Sequence, residues 1–204
     1  MLLYYITDRT QLAGDERGRR QRLLGQISEA ARSGVDYIQL REKDLSSREL
    51  ETLAREAMAR IAGTATKLLI NSRGDIALAV GAHGVHLRSS DISPEDVRKL
   101  WREAGAGTLP IIAVSCHTEK EVVAAKQSAA NFIVFGPVFE KSQQNGTGLD
   151  ALGTVCRYGV PVLALGGVTL DNASLCTQSG AAGVAGIRLF QDNEVQNVVQ
   201  NFRR

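Results

Sequence analysis

Eight short apolar segments recur along the chain, and stretches with helical patterns separate them. They are Leu2–Thr7, Tyr37–Arg41, Lys67–Asn71, Gly84–Leu87, Ile111–Ser115, Phe132–Val138, Pro161–Gly166 and Gly183–Leu189. Each segment is short enough for one buried strand of a parallel sheet. Eight strand–helix units in 204 residues favour a single (β/α)8 TIM barrel, domain 1–204, over a doubly wound open sheet.

The segments between the predicted strands carry helix signals. Ser46 and Glu49 form a capping box, in which each side chain bonds the other residue's free amide. Ser93 before Pro94 starts another helix, because proline at the first turn loses no hydrogen bond. Glycines stand where three helices should end, at Gly34, Gly81 and Gly180.

Composition excludes several classes of protein. The 24 basic and 22 acidic residues give a net charge of +2, which does not predict a nucleic-acid partner. The basic cluster Glu16–Arg22 is interpreted as the solvated start of a helix. No apolar run approaches the ~18 residues of a membrane span, and the first residues lack the pattern of a signal peptide. The sequence therefore predicts no membrane partner.

The three cysteines, Cys116, Cys156 and Cys176, show no C-x-x-C spacing, and their number is odd. This favours reduced thiols and a cytoplasmic location over a disulfide framework. The histidines and carboxylates form no recognisable zinc spacing either.

Polar residues follow the predicted strands, and in a (β/α)8 barrel these positions meet at one mouth. Ile38 and Leu40 share one face of the second strand, and Gln39 and Arg41 share the other. If the first pair packs against helices, the second pair points into the mouth. A buried Arg41 needs an anionic partner, which is either a neighbouring carboxylate or a ligand. The several cations at this rim favour an anionic ligand such as a phosphate.

Gly166 and Gly167 follow the seventh strand, and Thr169 is predicted to cap the next helix. Glycines allow backbone amides to approach an anion closely, and the loops after the last two strands are the usual phosphate site of such barrels. The two glycines alone would also fit a simple tight turn.

His117 follows the fifth strand beside Ser115. An imidazole gives and takes protons near neutral pH, so His117 is a candidate acid/base residue with Ser115 beside it, although it could simply cap a helix. His86 is predicted to serve mainly in packing, and His83 to lie at the surface.

The sequence resembles the thiamine phosphate synthase/TenI family over nearly its whole length. The motifs that carry the resemblance are YYITD (4–8), YIQLREK (37–43), LLINSRGDIALAVGAHGVHL (68–87), AVSCHT (113–118), FGPVFEKS (135–142) and LALGGVTLDNA (163–173). The family has two enzymatic branches, and the resemblance to each implies a different reaction.

The synthase branch joins a hydroxymethylpyrimidine diphosphate to a thiazole phosphate with magnesium. The resemblance implies that this pocket is formed by Gln39 at the pyrimidine, Arg41 and Lys43 at the diphosphate, and Asn71, Arg73 and Lys141 around them. The family's magnesium carboxylates fall at Ser72, where an aspartate is usual, and at Asp91. The threonine- and lysine-containing diphosphate loop is replaced by Glu140–Gln143.

A serine hydroxyl is neutral and replaces a carboxylate poorly around Mg²⁺. Synthase activity is therefore expected to be weak or absent, with Asp91 a metal ligand only if the chain is a synthase.

The TenI-like branch comprises thiazole tautomerases, which shift a proton to aromatise a carboxythiazole phosphate and need no metal. The resemblance implies His117 as the acid/base residue. It implies a phosphate site at Gly166, Gly167 and Gly186, and we add Ile187 and Arg188 to the predicted site. Arg188 departs from the small residue usual in the family, and it would either contact the phosphate or project outward.

We favour the tautomerase interpretation; a synthase that tolerates Ser72 is second, and a non-catalytic regulator that binds thiazole or thiamine phosphate is third. In each case the expected partner is a small phosphate ester of a thiazole. The resemblance also allows a homo-oligomer.

Overall fold

A computed structural model describes residues 1–139 and 146–203, and its eight parallel strands form a closed barrel in sequence order. The strands are β1 (Leu2–Ile6), β2 (Tyr37–Leu40), β3 (Lys67–Asn71), β4 (Gly84–Arg88), β5 (Ile111–Cys116), β6 (Phe132–Phe135), β7 (Val162–Leu165) and β8 (Gly183–Gly186). β8 pairs with β1, with Leu3 opposite Val184, and this pairing closes the barrel. The predicted (β/α)8 barrel is confirmed, and the open sheet is wrong.

Helices connect the strands and surround the barrel. In the described ranges they are α1 (Glu16–Ser33), α2 (Ser47–Ile61), α3 (Gly74–Val80), α4 (Pro94–Glu103), α5 (Glu119–Gln127), α6 (Gly148–Cys156), α7 (Ala173–Gln178), α8 (Arg188–Gln191) and α9 (Val195–Arg203). A short 3₁₀ turn, Arg9–Gln11, follows β1. None of these described helices is both long and apolar enough to cross a bilayer.

Local sequence signals fix several helix ends as predicted. The Ser46 hydroxyl accepts the Glu49 N–H, and the Glu49 carboxylate accepts the Ser46 N–H at 2.9 Å, so the capping box of α2 is confirmed. Ser93 caps α4 with Pro94 in its first turn. Gly34 and Gly81 end α1 and α3 in the left-handed conformation that glycine adopts without strain.

Two predicted strands, Phe132–Val138 and Gly183–Leu189, run three residues past the observed ends. β6 ends at Phe135, before Pro137, which has no amide hydrogen to donate. β8 ends at Gly186, and the apolar residues after it lie in α8. Leu189 is buried there by packing outside the sheet, so its hydrophobicity does not indicate a strand.

The core has two layers, because alternate strand residues face opposite sides. Ile38 and Leu40 pack outward against the helices, as predicted. The barrel interior is a smaller cluster around Tyr4, Leu69 and Phe132. Tyr4 and Phe132 make an edge-to-face contact with ring centroids 5.5 Å apart. These aromatic rings fill the barrel below the mouth.

Gly84 is required where β4 meets β5. A Cβ at this position would lie 1.8 Å from the Ile111 carbonyl oxygen and 2.6 Å from the Ile111 nitrogen. We therefore expect Gly84→Ala to lower the free energy of unfolding by about 3 kcal/mol, measured by urea denaturation.

Gly25 provides the matched control, because it lies in α1 and a Cβ there would meet nothing within 4 Å. Gly25→Ala should raise stability by about 0.5–1 kcal/mol, as expected inside a helix. Equal effects of the two substitutions would contradict the steric argument.

Candidate active site

The carboxyl ends of the strands form a polar mouth that contains most of the predicted site residues. Gln39 is buried inside the barrel, Arg41 and Asn71 are half-buried, and Lys43 and His117 are exposed. Lys141, and the change predicted at Glu140–Gln143, lie outside the described residues.

A chain of polar side chains lies directly beneath this mouth. The Tyr4 hydroxyl is 2.9 Å from His86 Nδ1, and His86 Nε2 is 2.6 Å from Ser115 Oγ. Gln39 Nε2 donates to the Tyr4 hydroxyl at 3.3 Å. Tyr4, His86 and Gln39 are each at most 2% exposed, so these bonds replace contacts with water.

The sequence predicted mainly a packing role for His86, but the ring also joins this chain of hydrogen bonds. Burial, and after it the positive charge of Arg41, lowers the pKa of His86 to about 3. The ring is thus a neutral hydrogen-bonding group at physiological pH. His83, predicted at the surface, is half-buried at the opposite end of the barrel, where its Nδ1 accepts the Leu68 N–H at 3.1 Å.

The lowered pKa of His86 makes stability depend on pH. Below the ordinary value of 6.5 the unfolded chain binds a proton that the folded protein refuses until about pH 3, so stability falls as the pH falls through this range. The His86 contribution should cost about 2 kcal/mol between about pH 7.5 and about pH 5.

His86→Gln should remove this contribution, and the free energy of unfolding at the two pH values measures it. If the wild type and the variant lose the same stability on acidification, the buried neutral histidine is not its source.

His117 projects at the rim from the turn between β5 and α5. Its Nδ1 lies 2.5 Å from the Gly136 carbonyl oxygen, which can only accept, so Nδ1 carries the proton in the neutral ring. Glu121 accepts the N–H groups of His117 and Thr118 at 2.6 and 2.9 Å and so holds this turn. The arrangement leaves Nε2 of an exposed imidazole with a lone pair that can accept a proton.

Ser72 and Asp91 lie together at the ends of β3 and β4. The Ser72 hydroxyl donates to Asp91 Oδ2 at 2.6 Å, and the Arg88 N–H donates to the same oxygen at 2.8 Å. The Arg88 guanidinium donates to Asp91 Oδ1 at 2.8 and 3.0 Å. Burial alone would raise the pKa of Asp91, but these hydrogen bonds outweigh it and the pKa is lowered.

This arrangement does not fit a magnesium ion. Both Asp91 oxygens already accept protein donors, and the Arg88 guanidinium, itself a cation, is paired with this carboxylate. Ser72 offers a neutral hydroxyl where a second hard anionic ligand is needed. In the part of the chain that the structure describes, no group of three or more His, Cys, Asp or Glu side chains is placed to hold a metal.

Asn71 and Arg73, on either side of Ser72, face different surroundings. Asn71 Nδ2 lies 3.4 Å from Ser72 Oγ, at the mouth. Arg73 instead forms a bidentate pair with Asp75 at 2.6 and 2.8 Å, and it donates to Ser47 at the start of α2. In this conformation Arg73 contacts the outer rim.

Three cations, Arg41, Lys43 and Arg88, lie close enough together at the mouth to act on one another. The charge of Arg41, burial and the charge of Arg88 together lower the pKa of Lys43, because the ammonium is repelled by its neighbours. Within the described residues no carboxylate lies within 4 Å of the Arg41 guanidinium. Such a group favours an anionic ligand.

A buried ion pair that the sequence did not reveal lies beneath these cations. Arg9 and Glu42 are 3% and 4% exposed, and the Arg9 guanidinium donates to Glu42 at 3.1 Å. The Arg9 N–H and the Thr7 hydroxyl donate to the same carboxylate at 3.0 and 2.6 Å. Thr7 Oγ1 in turn accepts the Arg41 N–H at 3.0 Å, so the pair fixes the backbone that carries Arg41. The alternation of inward and outward side chains along the YIQLREK segment was the one sequence feature that could have predicted the burial of Glu42.

The loops after β7 and β8 approach the mouth with little side-chain bulk. Gly166 and Gly167 have positive φ angles of 96° and 66°, and a Cβ at Gly166 would lie 2.5 Å from Pro137 Cα. Gly186 ends β8, Ile187 caps α8, and Arg188 is exposed in its first turn.

The helix after β7 begins later than predicted. Thr169 was expected to cap it, but α7 begins at Ala173 with Asn172 as its N-cap. The Thr169 hydroxyl accepts the Asn172 N–H at 3.3 Å within a separate turn, because the Asn172 side chain bonds back to Thr169 N and to the Gly167 carbonyl.

Comparison with known proteins places this geometry in context. The family model described as "Thiamine monophosphate synthase" matches residues 3–190. A Clostridium novyi protein named thiamine-phosphate synthase is 32% identical over 197 residues, 94% of this chain and 91% of that protein. A Geobacter sulfurreducens relative named "Putative thiamine-phosphate synthase" is 42% identical over 90% of this chain and 83% of its own length. The solved structure of thiamine phosphate pyrophosphorylase from Pyrococcus furiosus is 26% identical, with a TM-score of 0.82, covering 99% of this chain and 93% of that one.

Proposed function

The chain belongs to the thiamine phosphate synthase/TenI family, and we propose that within this family it is a thiazole tautomerase that acts without a metal. The observation that carries the proposal is the occupied Asp91 carboxylate, bonded by Ser72 and Arg88. Among the described residues the site offers no free carboxylate pair for the leaving group's Mg²⁺, whereas a proton shift requires only an acid/base group and a binding pocket.

His117 supplies the proton transfer in this proposal. Its Nε2 accepts a proton from the unaromatised thiazole and returns it at another atom of the same molecule. One bond to hydrogen breaks and another forms, so the atoms and charges balance without an oxidant. The Gly136 carbonyl keeps the other ring nitrogen protonated and the ring oriented.

The substrate's phosphate is assigned to the loops after β7 and β8, at Gly166, Gly167, Gly186, Ile187 and Arg188. The two adjacent glycines have positive φ and carry no side chain that would block a phosphate, and Arg188 adds an exposed guanidinium. Gln39, Arg41, Lys43, Asn71 and Lys141 remain predicted contacts for the rest of the ligand, and Arg73 would join them only by leaving Asp75.

Replacing His117 tests the chemistry. His117→Ala should lower kcat for aromatisation of the carboxythiazole phosphate about 100-fold or more, because a positioned acid/base group is lost. KM should change little, since the phosphate contacts remain. The reaction can be followed by the ultraviolet absorbance of the aromatic ring.

His83→Gln is the matched control, because His83 lies at the opposite end of the barrel, and it should keep wild-type kcat. Unchanged turnover in His117→Ala would refute the assigned role of this residue.

A second candidate, the metal-dependent synthase, is favoured by the names of the relatives. Incubation with pyrimidine diphosphate, thiazole phosphate and magnesium separates the two activities. Sustained formation of thiamine phosphate by the wild type would overturn the tautomerase proposal.

Substitutions at Ser72 and Arg88 test whether the hydrogen bonds to Asp91 exclude Mg²⁺. Ser72 has φ 56°, a conformation that Asp and Asn tolerate better than most residues, so Ser72→Asp adds little backbone strain. The double variant Ser72→Asp/Arg88→Gln should bind Mg²⁺ in calorimetry, because it creates two neighbouring free carboxylates.

Ser72→Asn/Arg88→Gln, which is isosteric but lacks the second carboxylate, should bind Mg²⁺ much more weakly. If the wild type binds Mg²⁺ as tightly as Ser72→Asp/Arg88→Gln does, the hydrogen bonds from Ser72 and Arg88 to Asp91 do not exclude the metal.

A further inference from the structure

The hydrogen bonds beneath the mouth run in one direction. Gln39 Nε2 donates to the Tyr4 hydroxyl, which uses a lone pair of the phenol oxygen. Tyr4 has one proton to give, and in the described residues the remaining group within hydrogen-bond distance of its hydroxyl is His86 Nδ1, at 2.9 Å. Because a buried hydroxyl without an acceptor is costly, Tyr4 donates to Nδ1.

The direction of this bond fixes the tautomer of His86. A neutral imidazole has one donor and one acceptor nitrogen, so an accepting Nδ1 leaves the proton on Nε2. The Nε2–H group then donates to Ser115 Oγ at 2.6 Å. The Ser115 proton is therefore turned away from His86, and in the described residues no other partner accepts it.

The electrostatics at this point favour an anion. The positive charge of Arg41 acts on the His86 ring more strongly than the opposing charge of Asp91, which is itself paired with Arg88. If the phosphate lies at the loops after β7 and β8, the side of the mouth at β2 and β5 is left for the ligand's other anionic group, the carboxylate. This step rests on the proposed function, whereas the direction of the hydrogen bonds does not.

We propose that His86 is a positioning residue that fixes the Ser115 hydroxyl as a hydrogen-bond donor to the carboxylate of the thiazole ligand. In this tautomer His86 has no lone pair on Nε2 to accept a proton from Ser115. Ser115 is therefore a carboxylate-recognition residue and not an activated nucleophile, which distinguishes the chain's Ser–His contact from that of a serine hydrolase.

The tautomer is observable in the ligand-free protein. Nitrogen-15 NMR of the imidazole should show His86 as the Nε2–H form. Gln39→Glu should reverse the chain, because a carboxylate accepts from Tyr4 and Tyr4 must then accept from Nδ1–H. A wild-type His86 in the Nδ1–H form would overturn the proposal, whether or not the Gln39→Glu variant folds.

Ligand binding tests the role of the bond to Ser115. His86→Leu should weaken binding of the carboxythiazole phosphate about tenfold, the effect expected for one hydrogen bond to a charged group. His86→Gln, which retains a donor amide, should recover most of this loss. In the Ser115→Ala background His86→Leu should have no further effect, because the group through which it acts is absent.

The decarboxylated thiazole phosphate is the control ligand. Its affinity should be the same in the wild type, Ser115→Ala and His86→Leu. Equal losses with both ligands, or additive losses in the double variant, would mean that His86 acts through the fold and would overturn the proposal.

Failure of the proposed function would look different. A protein with the Nε2–H tautomer and carboxylate-dependent binding but without aromatisation would refute the tautomerase activity and support the role of His86.

Discussion

The buried pair between Arg9 and Glu42 is the interaction on which the mouth of the barrel depends. It joins the ends of β1 and β2, and through Thr7 it holds the backbone of Arg41. Breaking a buried pair by removing one partner typically costs about 3–5 kcal/mol, since the other charge stays buried. Arg9 is also bonded to Asp44 and Glu16, so it holds three carboxylates in place. In the described residues no carboxylate lies within 4 Å of the Arg41 guanidinium, which leaves this cation within reach of a ligand.

The architecture could be predicted from the sequence because hydrophobic periodicity and capping are local properties. The alternation of Ile38 and Leu40 with Gln39 correctly indicated which side chains enter the barrel. The predicted C-terminal ends of β6 and β8 were wrong, because Val138 and Leu189 are buried by contacts outside the sheet. Burial and strand pairing produce the same apolar pattern, and only the position of the backbone separates them.

The site could be predicted only in part, because its decisive contacts join residues far apart along the chain. Because Ser72, Asp91 and His117 follow predicted strands, the sequence correctly indicated that they lie at one mouth. The sequence could not show that the Arg88 guanidinium is hydrogen-bonded to the Asp91 carboxylate. Nor could it show that His86 lies in a hydrogen-bonded chain between Tyr4 and Ser115. Each of these depends on the direction of a side chain across neighbouring strands, which residue order does not fix.

The charges of the mouth also limit which ligand it can bind. Asp91 is neutralised by Arg88, while Arg41 and Lys43 repel each other enough that Arg41 is the main cause of the lowered pKa of Lys43. A divalent cation entering alone would add to this repulsion, whereas a ligand with two separate anionic groups relieves it. A carboxythiazole phosphate has two such groups, and the glycine loops and the Arg41–Ser115 region lie at different strands of the same mouth. Under the proposed function the ligand places one anion at each of these two places, which would select among phosphate esters more strongly than either place could alone.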